Sequence, residues 1–272
     1  MNVYRGCTHG CIYCDSRSTC YQMDHDFEDI EVKRDAPRIL EEQLRRKRKK
    51  CMIMTGSMCD PYIHLEDELK ITRQCLSVIE KYGFGLSVLT KSDRILRDLD
   101  ILKAINEKSK CVVQMTLTTY DDGLCRTIEN NVSLTSERFR VLEIMRDSGI
   151  PTMVWLCPIL PFINDTEENL RGLLDLCVRA KVKGILCFGF GVTLREGDRE
   201  YFYARLDEHF PGIKELYIRR FGDSYECRSP NSGALMNIFR KECERHGILH
   251  RTEDVFAYIK ELEPRTKQTS LF

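Results

Sequence analysis

Three cysteines stand within one short stretch, Cys7-Thr8-His9-Gly10-Cys11-Ile12-Tyr13-Cys14, at spacings of four and three, with Gly6 and Gly10 beside them. A tight loop of this kind can turn three sulfurs toward one point. Thiolates are soft ligands, suited to zinc or to an iron–sulfur cluster. A closed tetrahedral zinc site takes a fourth cysteine or histidine, and His9 is the local candidate, though it lies between two of the cysteines. Three sulfurs on a [4Fe–4S] cube instead leave one iron without a protein ligand. That iron can bind a small molecule, so the site can do chemistry as well as hold the fold. No second CxxC or CxxxC follows, so one cluster is expected.

Such a loop needs a scaffold, and the rest of the chain supplies one. The length, 272 residues, fits one large α/β domain, and a 42% hydrophobic fraction is enough for a core. Short apolar runs that read as strands cover 51–55, 85–90, 111–118, 152–157 and 185–190, and 1–4 is a further short strand before the thiols. Between them lie helical spacings over 36–49, 66–82, 93–106, 136–147, 167–180 and 199–210, several closed by glycine. Residues 24–35 read as a long polar loop. This βα repetition predicts a parallel sheet with helices outside it. About six strands are fewer than the eight of a closed barrel, so the fold class is α/β, a partial (β/α)6 TIM-like barrel. The division expected is a core over 1–212 and a C-terminal helical extension over 213–272, with helices near 228–247 and 253–263 and a tail docked through Leu271 and Phe272.

Fourteen scattered cysteines without a secretion signal read as reduced thiols of a cytoplasmic protein, not as a disulfide framework. No stretch is long and apolar enough to span a bilayer. A formal net charge of zero calls for no polyanionic partner. The basic run Arg45-Arg46-Lys47-Arg48-Lys49-Lys50 can contact phosphates, but it ends a helix ahead of a strand, on the side away from the strands' carboxyl ends.

In βα folds the loops after the strands line the active face. After the second strand come Cys59, Asp60, Pro61 and Tyr62, where Asp60 is either a ligand acceptor or a turn residue capping the next helix. After the third comes Lys91, a cation facing the site, followed by Ser92 and Asp93 as helix caps. Thr116 and Thr118 share one face of the fourth strand, as hydroxyl donors or as plain strand formers. The stiff loop from Pro158 through Leu160 and Pro161 to Asp165 suits packing against a flat ring. After the last strand come Phe188-Gly189-Phe190-Gly191, whose Gly-x-Gly is weak evidence for a phosphate site. Arg195 and Arg199 are candidates for an acidic substrate or for solvated surface.

The cysteine pattern, with Tyr13 just before the last thiol, resembles the radical S-adenosylmethionine (SAM) superfamily. With Asn2-Val3-Tyr4, Arg17, Asp60-Pro61-Tyr62, the segment from Leu89 to Asp93, Pro158 to Asp165, Ser224 to Cys227 and Ser270-Leu271-Phe272, the chain is similar to its spore-photoproduct-lyase-like subfamily. The resemblance implies the partial barrel, one [4Fe–4S] cluster on Cys7, Cys11 and Cys14, and SAM as a second cofactor. SAM is then cleaved reductively to a 5′-deoxyadenosyl radical that abstracts a hydrogen from an unidentified substrate. It also implies an external flavodoxin- or ferredoxin-like electron donor. Tyr13 would pack over the cluster or the adenine, and Asp60 would accept from the SAM amino group. Lys91, with the hydroxyls of Thr116 and Thr118, would reach the SAM carboxylate or ribose, and Pro158 and Leu160 would lie against the adenine. Members of this pattern are expected to carry more residues before the motif, which points to a truncated or unusual start. Two rivals stand beside this reading. One is repair of a thymine lesion in DNA, with Cys59 as a hydrogen-atom donor or merely a small residue beside SAM, and Tyr201, Phe202 and Tyr203 as candidates to receive a flipped base. The other is a non-enzymatic, metal-stapled interaction module.

Overall fold

A computed structural model of the chain describes residues 1–56 and 58–262. The elements run β1 (Tyr4–Arg5), β2 (Glu31–Val32), α1 (Ala36–Arg46), β3 (Met52–Thr55), α2 (Glu66–Leu69), α3 (Ile71–Tyr82), β4 (Gly85–Thr90), α4 (Leu99–Lys108), β5 (Cys111–Thr116), α5 (Asp122–Ile128), α6 (Thr135–Asp147), β6 (Thr152–Trp155), α7 (Glu167–Arg179), β7 (Gly184–Leu186), β8 (Gly191–Thr193), α8 (Asp198–His209), α9 (Ile213–Phe221), β9 (Glu226–Arg228), α10 (Ser232–His246) and α11 (Thr252–Lys260).

Five strands form one parallel sheet in the order β3-β4-β5-β6-β7. Every residue of β5 is buried, as parallel strands covered on both faces require. Helices supply the cover through apolar stripes. Leu40 and Leu44 of α1, one turn apart, are buried, and Pro37 starts that helix without wasting a donor. The α/β partial-barrel class expected from the alternation is what the chain adopts. The sheet has five strands and not six because β1 does not join it. Tyr4–Arg5 pairs antiparallel with Glu31–Val32, inside the stretch read as loop. The run read as a strand to residue 190 stops at Leu186, and Gly191–Thr193 pairs antiparallel with Glu226–Arg228.

One helix expected over 66–82 is broken at Lys70, which takes a left-handed conformation. The Glu66 carboxylate explains the break. It accepts from the free backbone N–H groups of Thr72 (3.0 Å) and Arg73 (3.3 Å) that open α3. Fully buried, it also accepts from the Tyr4 hydroxyl and pairs with Arg97 at 2.8 Å. An anion at a helix start is favoured by its exposed N–H groups. The start of the helix expected over 93–106 is a 3-10 turn, Asp93–Asp98. The far end of the last helix and the tail with Leu271 and Phe272 lie outside the described residues, as does Ser57. Among the described residues no helix is long and apolar enough to cross a membrane, and all fourteen cysteines are free.

Candidate active site

The three-thiol loop is held from both sides by backbone. Cys7 donates its N–H to the Phe27 carbonyl (2.9 Å), and Ile12 donates to Ile128 (3.0 Å) at the end of α5. Cys11 forms an isolated bridge with Glu129, and Asn131 closes on Thr8 and His9 through its amide groups. Glycine is required where the loop turns. Gly10 sits at φ +66°, and a side chain there would collide with the Asn130 amide. Left-handed backbone of this kind is strained for other residues. Cys7 and Cys11 are buried, and Cys14 stands half-buried at the edge of a cavity.

Behind the loop lies a buried ion pair, Glu129 with Arg138 at 2.6 Å, both fully enclosed. The Tyr13 hydroxyl donates to Glu129, and Arg138 donates onward to the carbonyls of Ser133 (2.8 Å) and Thr116 (3.0 Å). Burial opposes the Glu129 charge, but Arg138 and then Lys91 hold its pKa below the usual value. The loop is thereby tied to the end of β5. Lys91, just beyond β4, brings a cation to the same place. Burial works against its ammonium, yet Cys11, Glu129 and Cys14 together raise its pKa above the ordinary lysine value. Among the described residues no carboxylate stands within ion-pair distance of it. An ammonium in this position stabilises thiolates.

The other sequence candidates divide. Tyr13, Lys91, Thr116 and Pro158 line the cavity with Cys14. Asp60, Thr118, Leu160 and Cys59 do not form its wall. The Asp60 carboxylate is engaged inside the protein, accepting from Tyr62 N–H (2.8 Å), the Thr90 hydroxyl (2.7 Å) and Lys91 N–H (2.7 Å), with His9 3.6 Å away. It fastens the segment after β3 to the end of β4. Thr118 lies past the end of β5, where its carbonyl accepts from Asn164 and Asn169. Leu160 packs in the cluster that contains Cys11, Ile12 and Tyr13. Cys59 is buried against Cys7. Its thiol donates to the Asp60 carbonyl at 3.4 Å, and the neighbouring Cys7 together with burial pushes its pKa up.

The cavity measures about 870 Å³ and opens over the carboxyl ends of β3 to β7. Sequence reasoning missed part of its wall: Trp155, Cys157, Arg228 and Arg240. Phe188, placed by the sequence in the loop after the last strand but given no role there, joins them in the wall. The two arginines carried no local signal. Arg195 and Arg199 are engaged elsewhere, Arg195 with Asp15 (3.1 Å) and Tyr225 (2.8 Å), Arg199 with the carbonyls of Leu194, Asp223 and Ser224. Tyr201 is covered by the Arg17 guanidinium, and Phe202 is buried against Tyr217.

Fold and site together define a parallel partial barrel with a three-thiol loop beside the cavity at its carboxyl end. The sequence model of the Radical SAM superfamily matches residues 1–177, and the chain belongs to that superfamily. Its members are enzymes, and they draw electrons from an external reductant. Similar curated proteins include uncharacterized protein Rv2578c of Mycobacterium tuberculosis, 29% identical over 229 residues, which covers 80% of this chain and 67% of the relative. Uncharacterized protein MJ0683 of Methanocaldococcus jannaschii is 31% identical over 169 residues, covering 61% and 62%. A solved structure of spore photoproduct lyase complexed with dinucleoside spore photoproduct matches with a TM-score of 0.63 at 14% identity, covering 91% of this chain and 74% of that one. At that identity the likeness concerns the fold.

Proposed function

We propose that this protein is a radical SAM enzyme that holds one [4Fe–4S] cluster on Cys7, Cys11 and Cys14 and cleaves SAM reductively to act on a substrate still to be identified. The observation that carries this reading is the thiol loop itself. Three cysteines share one glycine-cradled turn with no fourth cysteine in it; Cys11 and Cys14 stand beside the Lys91 cation, and Cys14 lines the cavity over the strands' carboxyl ends. That donor set suits a sulfur-bound cluster with one iron left for a small ligand. When bound, the cluster and SAM supply an electron and a 5′-deoxyadenosyl radical able to abstract hydrogen. The chain's part is to bind, orient and exclude water. Lys91 is positioned to neutralise the thiolates and to receive a carboxylate. Tyr13, pinned by Glu129, offers a ring to the cavity, and Thr116 and Pro158 close the wall beside it. The stretch from 213 onward acts with the barrel, because it contributes Arg228, Ser232 and Arg240 to the same cavity.

Anaerobic reconstitution tests the reading. Four irons and four sulfides should assemble per chain, and dithionite with SAM should release 5′-deoxyadenosine well above a blank without protein. Assembly of the full cluster with no 5′-deoxyadenosine above the blank would sink it, as would tightly held zinc with no iron. Repair of a thymine lesion is the narrower reading. The thiol it was to use, Cys59, faces Cys7 and not the cavity, so nothing in this geometry favours it.

A further inference from the structure

Resting on the proposed function, we propose that the β6–β7 end of the cavity is a substrate seat for a small anion that carries a flat unsaturated ring. The sheet order puts Lys91, after β4, and Phe188, after β7, at opposite ends of the cavity. Three strand spacings separate them, roughly 14 Å at about 4.8 Å each. The thiols sit at the Lys91 end, since Cys11 and Cys14 act on that ammonium. The other end therefore has room of its own. The whole volume, about 870 Å³, lies near the top of the range of roughly 300–1,000 Å³ that suits small-molecule sites.

The floor of that end is aromatic. Trp155 and Phe188 meet edge to face with centroids 5.8 Å apart, and Phe256 backs Phe188 at 6.3 Å. Phe188 is 59% exposed although it lines a cavity, so a ring laid on it would remove apolar surface from water. Trp155 is preset. Its Nε1–H donates to Gln114 Oε1 (2.6 Å), whose Nε2 donates to Ser87 Oγ (2.7 Å), both inside the sheet. A fixed flat face binds without the cost of ordering it.

The rim is cationic. Arg228 of β9 and Arg240 of α10 line the cavity, and among the described residues neither is within ion-pair distance of a carboxylate. Arg228 Nε donates to Ser232 Oγ at 3.2 Å. The acidic groups on the wall are Asp15, paired with Arg195 at 3.1 Å, and Glu226. Guanidinium forks match a carboxylate or phosphate in a way lysine does not. A polynucleotide would need a basic track at the mouth. The chain's basic run, residues 45–50, instead lies at the end of α1, before β3, on the opposite face.

Calorimetric titration of the reconstituted full chain, with SAM saturating, tests the seat. Phenyl phosphate and benzoate should bind at least tenfold more tightly than inorganic phosphate, acetate or benzyl alcohol. Phe188→Ala, Phe188→Leu and the double variant Arg228→Ala/Arg240→Ala should each lose tenfold or more. All three residues are exposed, so folding should survive, and thermal unfolding checks this. Emission from the chain's one tryptophan, Trp155, should shift with probe binding. Unchanged affinity in the variants, displacement of the probes by SAM, or tighter, steeply salt-dependent binding of a single-stranded oligonucleotide would each overturn the seat. Binding is read without turnover and repeated on cluster-free chain. A lack of 5′-deoxyadenosine thus counts against the catalytic reading alone, and a lack of probe binding against the seat alone.

Discussion

Glu129 shows how much a single side chain can organise. It faces the ring of Tyr13, the guanidinium of Arg138 and the ammonium of Lys91 at once, and its backbone bridges Cys11. Removing one member of a buried ion pair leaves the other charge uncompensated, which costs about 3–5 kcal/mol. Glu129→Gln should therefore lower the unfolding free energy in urea by an amount of that order. It should also reduce the iron retained after reconstitution, because the loop loses its anchor. A variant with native stability would show that the pair is a bystander. Nothing in the local sequence marks Glu129, since its partner Tyr13 is 116 positions away. The cysteines were legible for the opposite reason: their spacing is local, and few other chemistries use three thiols in one turn. Asp60 was legible as a candidate, but its hydrogen bonds to Thr90 and Lys91 come from another strand, and those decide what it does.

At the scale of elements, the antiparallel pair of β8 and β9 is the piece that brings Arg228 to the cavity. Gly191 is opposite Arg228 in the register. A Cβ on Gly191 would lie 2.5 Å from the Cys227 carbonyl oxygen and 3.0 Å from Arg228 Cα, both backbone. Backbone cannot swing aside as a side chain does, so the strands must part. Gly191→Ala should destabilise the chain by about 1–3 kcal/mol and speed hydrogen exchange at the amides of 226–228. Unaltered exchange there would show that the strand pair tolerates the methyl group. The helices and central strands were readable because their apolar periods are properties of short windows. The misassigned pieces share one cause. Tyr4–Arg5 and Gly191–Thr193 each take a partner distant in sequence, Glu31–Val32 and Glu226–Arg228, and the Glu66 carboxylate that caps the break at Lys70, though local itself, is held by Tyr4 and Arg97, 62 and 31 positions away. A window of a dozen residues does not contain that partner.

For the whole molecule, balanced charge leaves pH sensitivity to individual buried groups. Asp198 is one. Burial pushes its carboxyl from 3.8 up to about 6, against the hydrogen bond it accepts from Arg195 N–H. Because the folded-state value is the higher one, protonation favours folding. The contribution is full below about pH 4 and is lost as pH rises through 6. Asp198→Asn keeps the acceptor without the charge, so it should be more stable than the native chain at pH 7. A gain on the order of 1–2 kcal/mol is expected, the rise in pKa being partly offset by the positive start of α8. The difference should shrink as pH falls toward 4. Thermal unfolding of both proteins across that range checks it, and a gap independent of pH would remove Asp198 as the cause.

By itself the sequence determined the α/β alternation, the one thiol loop and the absence of a bulk charge, because each is written in neighbouring residues. Only the tertiary structure decided that Lys91 and Glu129 stand with the thiols, that Asp60 and Cys59 turn away from the cavity, and that Trp155, Phe188, Arg228 and Arg240 share its other end. Those groupings depend on which strand edges and helix faces come together, and close packing sets that over the full length of the chain.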